Sequence, residues 1–154
     1  MRGVATAVVA LVLIALPAFA ADRLPAAEIQ PRVDHHLREV SRLIQHFETL
    51  VGSACPRFPS AAEWNVYVEG EVDQMLLLAA HAEQAWEEAK RTGDKDVRRA
   101  AKERGGRRIE EAGQVVDKLG ACAQENGTTF SPGPIYRRLE RDLPQRQAEI
   151  ALPR

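Results

Sequence analysis

The sequence lacks several things that would narrow its function. It has 2 cysteines, and no CxxC or CxxCH spacing joins them. That removes the usual dithiol redox pair and covalent haem attachment. Two cysteines with scattered histidines also make no closed zinc pattern. HExxH, GxSxG, a phosphate-binding glycine loop and a dinucleotide fingerprint are all missing. Neither sign of charge dominates: 21 Lys+Arg face 22 Asp+Glu, which argues against general nucleic-acid binding. No internal repeat or low-complexity tract is present. Beyond residue 20 no apolar run reaches the roughly 18 residues that a membrane-crossing helix needs.

What is there begins with a leader. In MRGVATAVVALVLIALPAFA, Arg2 precedes an apolar run from Val8 to Leu16, Pro17 breaks it, and Ala18-Phe19-Ala20 supplies small residues at a cleavage point. This pattern predicts a signal peptide over residues 1–20, cut after Ala20, and hence a periplasmic or secreted protein. No cysteine follows the cut, so a lipid anchor is not expected. The mature chain, Ala21–Arg154, suits one domain. Its charge is uneven: residues 21–90 carry 12 acidic and 6 basic side chains, and residues 91–154 carry 10 acidic and 14 basic.

Periodicity predicts an all-α fold: an antiparallel three-helix bundle with a short fourth C-terminal helix, after the cleaved signal peptide. The expected division is a linker over 21–30, a bundle over 31–143 and a tail over 144–154. Helix one, opening at Pro31, carries Val33, Leu37, Val40, Ile44, Phe47 and Val51 at steps of four and three, widened by Leu43 and Leu50. Such a stripe suits a bundle seam, a coiled coil or a homo-oligomer contact alike. Helix two opens with the capping-box pair Ser60 and Glu63 and runs through Trp64, Val68, Val72, Met75, Ala79, Ala82, Trp86 and Ala89. Residues 64–72 also alternate with period two, so a strand competes there. Gly70 suggests a kink or a close helix contact. Helix three, from Asp94 or Asp96, carries Val97, Ala101, Gly105, Ile109, Ala112, Val116, Leu119 and Ala123. Gly105-Gly106 is its weak point, and Asn126-Gly127 stops it. Asn126-Gly127-Thr128 has the form of a glycosylation sequon but reads better as that helix end. Ile135, Leu139 and Leu143 would face inward on the last helix, limited by Pro144.

Short loops make successive helices antiparallel, so Cys55 and Cys122 fall at the same end. In an exported protein that predicts a Cys55–Cys122 disulfide. A first turn centred near residue 56 sets Leu37 level with Met75 and Pro31 with His81. His36 then lies near Met75, a pair that could ligate haem or copper, with no second histidine at its height. The same levels leave Trp86 beyond the cover of helix one, where LPAAEIQ, through Leu24 and Ile29, could shield it. They also set Arg98 and Arg99 beside Glu87 and Glu88, and Lys102 beside Glu83.

These features predict a non-catalytic binding or interaction protein, with no resident cofactor and no catalytic residues. Its candidate partner surface is Trp86, Arg98, Arg99, Lys102, Arg107 and Arg108, facing a protein or an anionic envelope component. A haem or metal carrier and an acid-stress chaperone are the alternatives. Expressed with its leader in a bacterium, the periplasmic protein should give Ala21 as its first residue on N-terminal sequencing. A chain still starting at Met1 would remove the export reading.

Overall fold

The computed structural model describes residues 23–106 and 108–153. The expected leader and its cut after Ala20 lie outside the described residues, as do Arg107 and the side chains of Arg108 and Ile109. The described chain is all-α, with helices α1 (Ala26–Gly52), α2 (Ala61–Lys90), α3 (Lys95–Gly106), α4 (Arg108–Glu125) and α5 (Pro132–Ile150). No helix among the described residues is long and apolar enough to cross a membrane.

Residues 64–72 are helical, which resolves the strand alternative. The Glu63 amide donates to the Ser60 hydroxyl at 3.3 Å, so the cap forms as the sequence implied. Trp64 is 2% exposed, while Val66 is 74% exposed, so the burial follows helical and not alternating spacing. Gly70 has open space around its Cβ direction and makes no close helix contact. α3 is capped by Asp94, whose carboxylate accepts from the amides of Asp96 (2.8 Å) and Val97 (3.0 Å).

α1 and α2 lie side by side in opposite directions. Ile29, Val33 and Leu37 near the start of α1 cluster with Ala85 and Ala89 near the end of α2, joined by Val97 and Ala101 of α3. At the other end Phe47 and Leu50 cluster with Trp64 and Val72, and with Val115, Val116 and Leu119 of α4. The α1 stripe is therefore the buried face expected. α2 differs. Leu76, Leu78, Ala80 and His81 are buried along with Trp64, Val72, Met75, Ala82 and Ala89 of its predicted stripe, while Val68, Ala79 and Trp86 are half-buried. α2 packs against α5 as well as α1, so it buries more than one face, and His81 turns to His36 of α1.

Three boundaries depart from the sequence reading. α1 starts at Ala26, so Pro31 lies inside the helix and the expected linker is partly helical. Proline removes one backbone hydrogen bond there, which the packing of Ile29 and Val33 on either side outweighs. α5 is 19 residues long, continues through Pro144 and is not short. The expected loose tail is also tied down: the Arg32 guanidinium donates to the carbonyls of Leu152 (2.8 Å) and Pro153 (2.6 Å).

Cys55 and Cys122 form the disulfide, with Cα atoms 5.2 Å apart. Asn126 reinforces the junction. Its side-chain amide donates to the carbonyls of Pro56 (3.0 Å) and Cys122 (2.9 Å), and its oxygen accepts from the Phe58 amide (3.0 Å). Gly127 follows with φ 66°, the left-handed stop expected. The Asn126 side chain is thus engaged at the helix end, the place the sequence reading gave it. The disulfide closes a separation of 67 residues. Replacing both cysteines by serine should lower the unfolding free energy by about 4 kcal/mol in the chain-entropy account. Urea melts of the oxidised wild type and the double variant check this; equal midpoints would mean the crosslink contributes nothing.

Candidate functional site

Three places carry chemistry beyond packing: a histidine cluster between α1 and α2, an ion-pair knot below it, and an open groove beside Trp86.

The histidine cluster corrects the sequence reading. His36 does not face Met75, which lies in the other hydrophobic cluster. It faces His81, with Nδ1 atoms 3.0 Å apart. The helices are offset by five residues from the expected level, because His81 sits opposite His36 and not Pro31. That is about 7.5 Å along the axis. A second histidine at the height of His36 therefore exists, but the His36–Met75 ligand pair does not. His35 stacks edge-on against His36, with ring centroids 5.0 Å apart. His36 is fully buried, and its Nε2 has no hydrogen-bond partner. An orphaned N–H would cost more than a bare lone pair. His36 is accordingly the tautomer that donates from Nδ1 to His81. Among the described residues no group of three or more His, Cys, Asp or Glu could hold a metal ion.

Burial pushes the His36 pKa down to about 4, helped by the charges of His81 and His35. Burial lowers His81 as well, against the opposing pull of Glu39. Neighbouring Glu39 is held low by its hydrogen bond from Arg42. Below the pair, the Arg32 guanidinium grips Glu88 at 2.9 and 3.1 Å, and Arg91 adds a bond at 2.7 Å. Burial pushes the Glu88 carboxyl up, but these two arginines outweigh it and hold the pKa below the usual glutamate value. Glu88 therefore stabilises the fold above that value and stops doing so as acid protonates it.

The groove by Trp86 is where the predicted surface residues meet. Ala82, Glu83, Trp86, Ala101, Lys102, Gly105 and Gly106 line a depression of about 330 Å³. On the other side of the indole, Trp86 and Lys102 join Lys95, Arg98 and Arg99 around a second depression of about 290 Å³. A Cβ on Gly105 would sit 3.6 Å from Ala82, an ordinary contact, so α3 lies against α2 here at a spacing that would also take an alanine. Leu24 and Ile29 do pack in the same cluster as Trp86, as the shielding idea required. They leave Trp86 half-buried.

The ion pairs expected across α2 and α3 are not formed as drawn. Glu87 binds Lys90, and Glu88 binds Arg32 and Arg91. Arg99 turns to Asp96 on its own helix, at 2.8 Å. Lys95, Arg98 and Lys102 have no acidic partner among the described residues. The register shift accounts for the Glu88 part of this, since it commits that carboxylate to Arg32 of α1. The sequence offered no signal for the His36–His81 contact, because both positions look like ordinary boundary residues of separate stripes.

No protein-family model, curated protein or solved structure matches this chain.

The buried imidazoles set an acid response. At high pH His36 is neutral whether folded or unfolded. As pH falls below about 6.5 the unfolded chain takes a proton that the folded His36 refuses until about pH 4. Stability should fall across that window, by up to roughly 3 kcal/mol from this group. Urea midpoints from pH 7 to pH 4 should slope downward in the wild type and more shallowly in His36→Leu. Parallel slopes would mean the pair does not control the acid response.

Proposed function

We propose that this protein is an exported, non-catalytic helical-bundle protein whose work is binding, and that the Trp86 groove is its binding surface. The reading is supported by one observation above the rest. A half-buried indole lines two depressions, beside Lys95, Arg98 and Lys102, which have no acidic partner among the described residues. An aromatic side chain at the centre with a charged rim is the usual form of a recognition site. Lys95, Arg98 and Lys102 recur at steps of three and four on one edge of α3, so they present one strip of positive charge. Mutual repulsion along that strip favours an anionic partner, at a cost to the free protein that each exposed contact keeps small. Arg107 and Arg108, expected to extend the strip, are outside its described part.

An acid-responsive chaperone is the second reading, and the His36–His81 pair favours it. Two buried neutral imidazoles over the Arg32–Glu88 knot would be strained by protonation at the same joint that holds α1, α2 and the C-terminal residues together. If the protein works this way, it should suppress aggregation of an unfolded client at pH 4 but not at pH 7. His36→Leu should weaken that acid activity.

Native mass spectrometry separates the main reading from an inert fold. Mature wild type isolated from a periplasm should retain a bound species that Trp86→Ser with Lys102→Glu loses. A bare chain in both, with no partner in periplasmic extract, would remove the binding reading.

A further inference from the structure

The chemistry of the groove narrows the class of ligand. Among the described lining residues its apolar surface is small: one indole, two alanines and two glycines, with the Glu83 and Lys102 side chains beside them. A stable protein partner needs about 800 Å² on each side. Beyond this floor the neighbouring surface is ion-paired and polar, with Lys90 on Glu87 and Arg99 on Asp96. The 330 Å³ depression stands instead at the lower end of small-molecule sites, which run from roughly 300 to 1,000 Å³. That size suits one unbranched chain and not a two-tailed lipid.

The cations set the other end of the ligand. Arg98 and Lys102 are one turn apart on α3 and line the second depression with Trp86. Their aliphatic stems and the indole make that side largely apolar below, with charged tips above. Lys102 and Trp86 border both depressions. A chain lying along the floor beside Ala82 and Ala101 therefore ends next to a pair of cations with no acidic partner among the described residues. A carboxylate there would bridge Arg98 and Lys102 and remove their repulsion.

We infer that the groove holds a single-chain fatty carboxylate, its tail along Ala82, Ala101 and Gly105 against Trp86 and its head between Arg98 and Lys102. This rests on the reading of the groove as the binding surface. A free carboxylate fits better than a bilayer head group, because the floor takes a tail that a membrane lipid would leave in the bilayer.

The test uses decanoate, 1-decanol and inorganic phosphate as probes, titrated into the mature protein by calorimetry, with Trp fluorescence as a second readout. Decanoate should bind saturably, one per chain, and shift the Trp86 emission; Trp64, being buried, should stay silent. 1-Decanol and phosphate should each bind at least tenfold more weakly. Arg98→Ala with Lys102→Ala should weaken decanoate at least tenfold while leaving 1-decanol unchanged. Added salt should weaken decanoate but not 1-decanol. No saturable decanoate binding, or equal binding by the double variant, would overturn the inference. Binding of an acidic peptide at Trp86 in place of decanoate would also overturn it, while leaving the groove as the binding surface. If Trp86→Ser with Lys102→Glu changes no bound species in native spectra either, both readings fall together.

Discussion

The register of α1 against α2 governs the rest of the molecule. It is set by side chains that fit at only one height: His36 on His81, Arg32 on Glu88, and Phe47 with Trp64 in one cluster. Sliding the helices by the five residues that loop geometry alone suggests would separate the imidazoles and take Arg32 away from the buried Glu88, leaving it Arg91 alone. Removing one partner of a buried ion pair is strongly destabilising, which outweighs a loop adjustment. The loop over residues 53–60 accommodates this offset, and Asn126 and the disulfide fix it against the end of α4.

That register reaches the surface. Once Arg32 and Arg91 take Glu88, Arg98 and Arg99 of α3 lose one of the carboxylates that sequence levels set beside them. The same Arg32 collects the Leu152 and Pro153 carbonyls, so the C-terminal residues are held at the joint where α1 meets α2. The Arg138 guanidinium, bonded to Glu69 and Asp73, fastens α5 along the opposite length of α2. α2 is consequently surrounded, which is why its apolar residues occur all round and its stripe reads less cleanly than that of α1.

The two ends of the molecule differ in kind. At the disulfide end, Phe58, Trp64 and Tyr67 form an aromatic cluster over a covalent link. At the other end the floor is alanine and glycine, and the large side chain is the half-buried Trp86. Small residues let α2 and α3 approach closely but leave little apolar surface to cover an indole. Among the described residues Lys95, Arg98 and Lys102 have no acidic partner across the helices, and these cations and the indole make more sense together than separately.

Much of the fold was legible in the sequence. Period-3.6 stripes gave α1 and the α3–α4 face, because each buries one side. Ser60, Asp94 and Asn126-Gly127 gave helix ends, because caps are local hydrogen-bond chemistry. Chain direction and two cysteines gave the disulfide. The sequence also assembled Trp86, Arg98 and Lys102 as one surface, since helical spacing carries that information. The tertiary structure alone decided the helix offset, the His36–His81 contact, the place of α5 and the length of α5 through Pro144. Those depend on side chains far apart in sequence meeting at one height. No local propensity encodes that height: it follows from the summed packing and charge pairing of whole faces.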